Sequence, residues 1–189
     1  MNGAEKNRMK TYIKIFLVFI SFHPVFVFSQ GEFQNWYFGG IGPPIEAGLT
    51  FNSGTPVAIP NGVMYSLSSP ICVSDSSGNL LFFSDGTKVY NRNKVVMPNG
   101  SGLLGDNQDL KQFVISTPIP DDDSSYYIFT AGHDNPLISS YLSYSILNMR
   151  LNGGLGDIEV GFKNIPIPGT ANVWWSVTGT RHKNNKDVW

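Results

Sequence analysis

The feature that most constrains the fold is a series of short apolar stretches separated by tight polar turns between Ile71 and Asp109. In the first turn, Asp75 is expected to cap the chain and Gly78 to take the left-handed conformation, and Asp85-Gly86 marks a second turn. The predicted strands are Ile71–Ser74, Asn79–Ser84, Lys88–Tyr90 and Lys94–Met97. Four short strands joined in up-and-down order predict one antiparallel sheet of the size of a propeller blade.

The composition supports an all-β chain. Charged residues make up 14% of the sequence, against roughly 25% in an average globular protein. The 189 residues include 20 Gly and 12 Pro, and 13% of them are aromatic. Such a chain, without long amphipathic periodicity, is typical of β-structure. The net charge of −1 gives no reason to expect a nucleic acid as a partner.

The same strand pattern recurs further along the chain. Ser125 begins an apolar stretch equivalent to the one that begins at Asn79, 46 residues earlier, and Phe113–Thr117 precedes it with a turn at Pro118–Asp123. A third copy begins at Trp174–Thr178, after a Gly/Pro-rich loop over Leu151–Gly169, and resumes at Lys186. Repeats of this length are a signature of propeller blades. The sequence therefore predicts an incomplete β-propeller over residues 30–189, with about two and a half four-stranded blades, truncated at its C-terminus.

Residues 1–29 have the pattern of a secretory signal peptide. Basic residues from Lys6 to Lys14 precede an apolar stretch within Ile15–Phe28, which is shorter than the 20 or so residues that a membrane span needs. Cleavage is expected between Ser29 and Gln30. The mature chain should then carry no transmembrane anchor and reach the periplasm, while an intact parent protein would be secreted or displayed at the cell surface.

The acidic run at Asp121–Asp123 was considered as a metal site. Asp121, Asp123 and Ser125 offer hard oxygen ligands, but an EF-hand loop requires Gly at its sixth position and Glu at its twelfth. This chain has Tyr126 and Gly132 there. A polar hairpin turn is the simpler interpretation, and no metal site is predicted.

The turn that begins at Asp75 also has features of the Asp-box turn of sialidase propellers. That motif has Ser two residues before the Asp and Trp after the Gly, whereas this chain has Val73 and Leu81. A glycosidase also needs two carboxylates about 5–10 Å apart, and the sequence nominates no such pair. A propeller glycosidase stays a less favoured alternative.

Other catalytic motifs are absent from the sequence. His133 and His182, the two histidines of the mature chain, lie beside turn residues, and no nucleophile-elbow motif accompanies them. Cys72, the one cysteine, lies in an apolar strand, where a small buried hydrophobic role is usual. The sequence predicts a non-enzymatic protein with no catalytic residues and no cofactor.

Exposed aromatic residues offer the clearest candidates for contact with a ligand. Trp36, Trp174 and Trp175 could form a platform on which sugars stack, although large aromatic side chains in propellers also fill the space between blades. The partner is therefore expected to be an unidentified protein or polysaccharide.

Several of these motifs together resemble a known family. Asp85-Gly86 followed by Val89–Arg92, then Met97–Gly100 and Leu151–Asp157, are similar to the N-terminal β-propeller of gliding motility-associated proteins. These are secreted proteins whose C-terminal type-B sorting domain is read by the type IX secretion machinery. The resemblance implies a propeller module that supports adhesion or protein interaction, with a glycan-binding surface as the alternative.

Overall fold

The structure is a computed structural model, and it describes residues 31–40, 48–60, 62–67, 69–106, 111–132, 142–170 and 176–179. This part of the chain contains twelve β-strands and no α-helix. It also has two short 3₁₀ turns, at Gly31–Phe33 and Asn152–Gly154. The strands form three antiparallel sheets, so the all-β prediction is confirmed.

The first sheet has three short strands, β1 (Asn35–Tyr37), β2 (Gly48–Thr50) and β3 (Val57–Ile59), in that order. Gly48 lies opposite Tyr37, and a Cβ at Gly48 would lie 1.8 Å from the carbonyl oxygen of Trp36. Only glycine therefore allows β1 and β2 to approach this closely.

The second sheet is the four-stranded meander expected from the sequence. Its strands, in sheet order, are β4 (Ile71–Ser74), β5 (Leu80–Ser84), β6 (Lys88–Asn91) and β7 (Val96–Ser101).

The last of these strands begins later than predicted. Lys94 was expected to open the strand but lies in the turn, with φ of 62°. The Asn91 side chain accepts hydrogen bonds from the amides of Asn93 and Val95, at 2.9 and 3.2 Å. These bonds extend the turn, so the strand begins at Val96 and not at Lys94.

The third sheet contains β8 (Val114–Ile119), β9 (Asp122–Ala131), β10 (Leu142–Asn148) and β11 (Asp157–Ile158), with β12 (Ile165–Pro166) also paired to β10. It is a second up-and-down meander in the same order as the first. Two predictions about its loops were wrong.

The first wrong prediction is the turn at Pro118–Asp123, which is in fact only two residues long. Because Asp121 adopts a left-handed conformation, with φ of 62°, the chain reverses at once between Ile119 and Asp122. The second is the loop at Leu151–Gly169, which contains both β11 and β12 because each pairs with one end of β10.

Burial follows the internal repeat. Phe82 on β5 and Ile128 on β9, which are equivalent in the two meanders, are both completely buried. Ser84 and Thr130, two residues further along each strand, are also completely buried. Alternate residues of a strand face the same side of the sheet, so the second strands of the two meanders have matching buried faces.

The second sheet is covered on both faces. Phe82 belongs to a hydrophobic cluster that it shares with Val114, Ile128 and Leu147 of the third sheet. Phe83 points the other way, into a cluster with Tyr37 of the first sheet. Its ring stacks on Tyr37 at 4.4 Å and on Tyr90 at 4.9 Å between centroids. The meander at Ile71–Ser101 is therefore the central layer of the three sheets.

The sheets meet in a regular way. The first strands are neighbours, since β1 contacts β4 and β4 contacts β8, and the last strands β7 and β11 also contact each other. The backbone N–H of Ser69, just before β4, donates to the carbonyl of Lys111, just before β8, at 3.1 Å. This bond holds the beginnings of the two first strands together.

Candidate functional site

A groove with a volume of about 970 Å³ lies between β4 and β8. Its apolar lining includes Ile71, Val73, Ile115 and Met149, and Glu32 with Asp123 contributes charge at the rim. The groove, called here the β4–β8 groove, therefore combines an apolar wall with an acidic rim, and its size is in the range that accommodates a ligand.

The turn after β4 forms one edge of the groove. The Asp75 carboxylate accepts hydrogen bonds from the backbone N–H groups of Ser77 and Asn79 and from the Asn79 side chain, each at 2.9 Å. Gly78 adopts φ of 87°. Burial opposes the ionisation of Asp75, but the hydrogen bonds from Asn79 and the turn amides outweigh it and lower the pKa of this carboxyl. Asp75 thus remains ionised as a turn cap.

The second predicted turn motif is buried behind the groove. The Asp85 carboxylate accepts hydrogen bonds from the backbone N–H of Thr87 at 2.8 Å and of Lys88 at 2.7 Å. Gly86 has φ of 89°, and it lies against Val114 of β8. This motif shapes the junction between the second and third sheets.

Negative charge gathers around Tyr126 at one end of the groove. Burial, and after it the nearby carboxylates of Glu32, Asp123 and Asp75, raise the pKa of the Tyr126 phenol. The ring also packs edge-on against Phe82. Sequence reasoning missed Tyr126 as part of a site, because the three elements that carry the carboxylates meet only in the fold.

The acidic residue that forms an ion pair at the β8–β9 turn is Asp122, which lies between the candidate metal ligands Asp121 and Asp123. Arg150 donates two hydrogen bonds to Asp122, at 2.9 and 3.2 Å. Those bonds, together with the backbone N–H of Ser124, lower the pKa of Asp122 to about 2. Asp121 occupies the turn itself. Within the described ranges, no group of three or more His, Cys, Asp or Glu side chains is placed to hold a metal ion.

Cys72 lines the groove, but its thiol is not activated as a nucleophile. Burial raises the pKa of its thiol to about 12, against an opposing hydrogen bond from the backbone of Tyr37. The side chain packs beside the cluster of Tyr37 and Phe83. The thiol therefore stays protonated, whereas a cysteine nucleophile requires the thiolate.

The structure describes one of the three aromatic residues that were predicted to face a ligand. Trp36 lies on β1 with its side chain 49% exposed, and its ring nitrogen donates to the carbonyl of Phe33 at 3.1 Å. The ring packs at a tilt against Phe51. Trp174 and Trp175 lie outside the described residues, as do His133, His182 and the signal peptide.

Two of the motifs that carry the family resemblance meet in space. The Asp157 carboxylate on β11 accepts hydrogen bonds from the backbone N–H of Asn99 at 2.8 Å and from the Asn99 side chain at 2.9 Å. The backbone N–H of Ile158 donates to the same carboxylate at 2.9 Å. Asn99 and Asp157 therefore form a clamp between the second and third sheets, 58 residues apart in sequence.

Comparisons with protein-family models, with curated proteins and with solved structures find no match to this chain. In the described part of the chain, no helix has the length and apolar character to cross a membrane.

Proposed function

We propose that the three sheets are successive blades of a β-propeller, and that this propeller is a non-enzymatic recognition module of a secreted or cell-surface protein. The observation that carries the proposal is the order of the strands. Two successive meanders have their first strands side by side at β4 and β8 and their last strands side by side at β7 and β11. Blades arranged around an axis have this relationship, with first strands inside and last strands outside.

In this arrangement, the β4–β8 groove is the recognition site. It opens between two first strands, which in a propeller line the central channel where ligands bind. Its chemistry supports binding more than catalysis. A glycosidase needs a carboxylic acid with a raised pKa as its proton donor, whereas the pKa of Asp75 in the groove lining is lowered.

The wider context of adhesion or protein interaction in gliding and type IX secretion rests on the sequence resemblance. Asn99 and Asp157, from two separate motifs of that resemblance, contact each other in the fold. In this context the signal peptide directs the chain to the periplasm, and an intact parent protein reaches the surface or the medium.

The second candidate function is a glycan-binding surface, and Trp36 favours it. The indole is half exposed and is held in place by its hydrogen bond to Phe33 and its contact with Phe51. A braced and exposed ring of this kind suits stacking against a sugar. Loss of binding to a polysaccharide array on Trp36→Ala, with Phe162→Ala as a control at another exposed aromatic residue, would favour this function.

Site-specific photo-cross-linking tests the recognition role. A benzophenone amino acid replaces Ser116 in the groove or, as a control, Val160, which is 88% exposed. In the cells that secrete the protein, we expect a discrete cross-linked product from position 116 and none from position 160. Equal labelling from both positions, or turnover of chromogenic glycosides by the purified chain, would contradict a non-enzymatic recognition groove.

Cell fractionation tests the location. We expect the chain in the periplasmic fraction, with Gln30 as its N-terminal residue on sequencing. Recovery of the uncleaved chain in the inner membrane would show that Ile15–Phe28 is an anchor. Recovery in the medium would show that this chain contains its own sorting information.

A further inference from the structure

The free edge of β8, which is the edge not paired with β9, offers unpaired backbone groups to the groove. The Ala131 N–H donates to the carbonyl of Phe113 at 2.9 Å, and hydrogen-bonded pairs alternate along an antiparallel ladder. Ile115 and Thr117 therefore face β9, while the N–H and C=O of Ser116 point to the other edge. Among the described residues, none forms a hydrogen bond with these two groups of Ser116.

The side chains that line this stretch are already engaged within the protein. The Ser116 hydroxyl donates to the carbonyl of Tyr127 at 3.0 Å, and the Thr117 hydroxyl donates to that of Pro118 at 3.2 Å. Asp75 is committed to its own turn. A sugar would need side-chain partners for its hydroxyl groups, whereas an extended peptide needs the strand edge that is on offer.

The same edge already makes one backbone contact within this chain. The backbone N–H of Val177 donates to the carbonyl of Gln112 at 2.9 Å, just before β8 and on the edge to which Ser116 also points. Thr178 and Gly179, the next two residues, line the groove. The Gln112 side chain donates to the carbonyl of Val114 at 3.4 Å, so a partner strand would pair with the N–H and C=O of Ser116.

The edge of the first sheet at β3 is protected against such pairing. β3 is only three residues long and lies between Pro56 and Pro60, and proline with short length is a common way to prevent strand addition. The edge of β8 is longer, with proline only near its far end at Pro118. This contrast assigns strand addition to the groove and not to the first sheet.

The charges at the rim determine which peptide fits. Among the lining residues that the structure describes, Glu32, Asp75 and Asp123 are acidic and Arg92 is basic. Three carboxylates against one guanidinium favour a cationic side chain near Tyr126, while the apolar wall accepts alternate side chains of an extended strand.

We infer that the β4–β8 groove binds an extended peptide that adds as a strand to the free edge of β8 at Ser116 and places a lysine or arginine against the acidic rim. This inference rests on the proposed function and specifies its ligand class. It makes the ligand a protein segment instead of a polysaccharide.

Fluorescence anisotropy with four labelled heptapeptides and the purified chain tests the inference. The peptides are KVTVTVK, EVTVTVE and two derivatives of KVTVTVK, each methylated at one of the two alternating sets of backbone N–H groups. We expect KVTVTVK to bind, EVTVTVE to bind at least tenfold more weakly, and one of the two methylated derivatives not to bind. Equal binding of all peptides, or binding of none, would overturn the inference.

Matched variants locate the binding edge. Ser116→Pro removes the outward N–H and should weaken KVTVTVK about tenfold, whereas Ser116→Ala retains that N–H and should bind as the parent does. Asp123→Lys reverses one charge at the rim and should favour EVTVTVE. Circular dichroism verifies that each variant is folded. If the groove bound a polysaccharide instead, or if cross-linking from position 116 succeeded while the peptides failed, the recognition role would stand and the peptide inference would fall.

Discussion

The clamp between Asn99 and Asp157 leads to a prediction that isolates one contact between sheets. Asp157 is 8% exposed and accepts three hydrogen bonds, two from Asn99 and one from the backbone N–H of Ile158. Replacing Asn99 with Ala removes only the side-chain donor. Replacing Asp157 with Ala removes the acceptor of all three bonds.

The expected costs follow from the chemistry of the bonds. A hydrogen bond to a charged group contributes about 1.5–3 kcal/mol when buried, and a buried backbone donor without a partner costs about 1–3 kcal/mol. Because Asn99 is exposed, Asn99→Ala should lower the free energy of unfolding by only about 1 kcal/mol. Asp157→Ala should lower it by about 3 kcal/mol, since it also strands two backbone donors.

Urea unfolding followed by far-ultraviolet circular dichroism measures both changes through the midpoint and slope. The charge swap provides the sharpest comparison. Asn99→Asp alone places two carboxylates against each other, whereas adding Asp157→Asn restores a carboxylate–amide pair with the roles exchanged. Asp122→Ala, which removes a largely exposed ion pair with Arg150 and a hydrogen bond from the backbone N–H of Ser124, serves as the control and should shift the midpoint far less.

Two outcomes would refute this reasoning. If Asp157→Ala were no more destabilising than Asp122→Ala, the carboxylate would not hold the two sheets together. If the double variant were as unstable as Asn99→Asp alone, the two side chains would not be coupled.

Three further predictions concern the core, a strand contact and the thiol. Phe83→Ala, which removes a fully buried ring stacked between two tyrosines, should lower the free energy of unfolding by about 3–5 kcal/mol in urea titrations; a loss near 1 kcal/mol or less would argue against tight packing there. Gly48→Ala should disrupt the first sheet because its Cβ meets the Trp36 carbonyl, whereas Gly54→Ala, which has open space around it but must adopt φ of 82°, should cost only the backbone strain of about 1–2 kcal/mol in thermal unfolding; equal effects would contradict the contact. Cys72, with its pKa raised to about 12, should react with a disulfide reagent at pH 8 only after the chain unfolds, and rapid labelling of the folded chain would show that the thiol is accessible and ionised.

The candidate site was only partly visible in the sequence. Asp75 and Gly78 could be identified as a turn because their side-chain and backbone requirements are local. Tyr126 and Ser116 could not be identified as site residues, since their roles depend on elements that meet across the groove. Asp122 shows the same limit. The acidic run was evident in the sequence, but which of its residues pairs with Arg150 was not.

What the sequence alone determined is the local structure: short strands, tight turns and a repeat of 46 residues whose buried positions at Phe82 and Ile128 coincide. These follow from alternation and turn chemistry, which act over a few residues. The tertiary structure alone decided the rest. It covered both faces of the central sheet, so that Phe82 and Phe83 are both buried, joined Asn99 to Asp157, and opened a groove between β4 and β8. Such contacts depend on how whole sheets stack, and no local pattern in the chain encodes the distance between them.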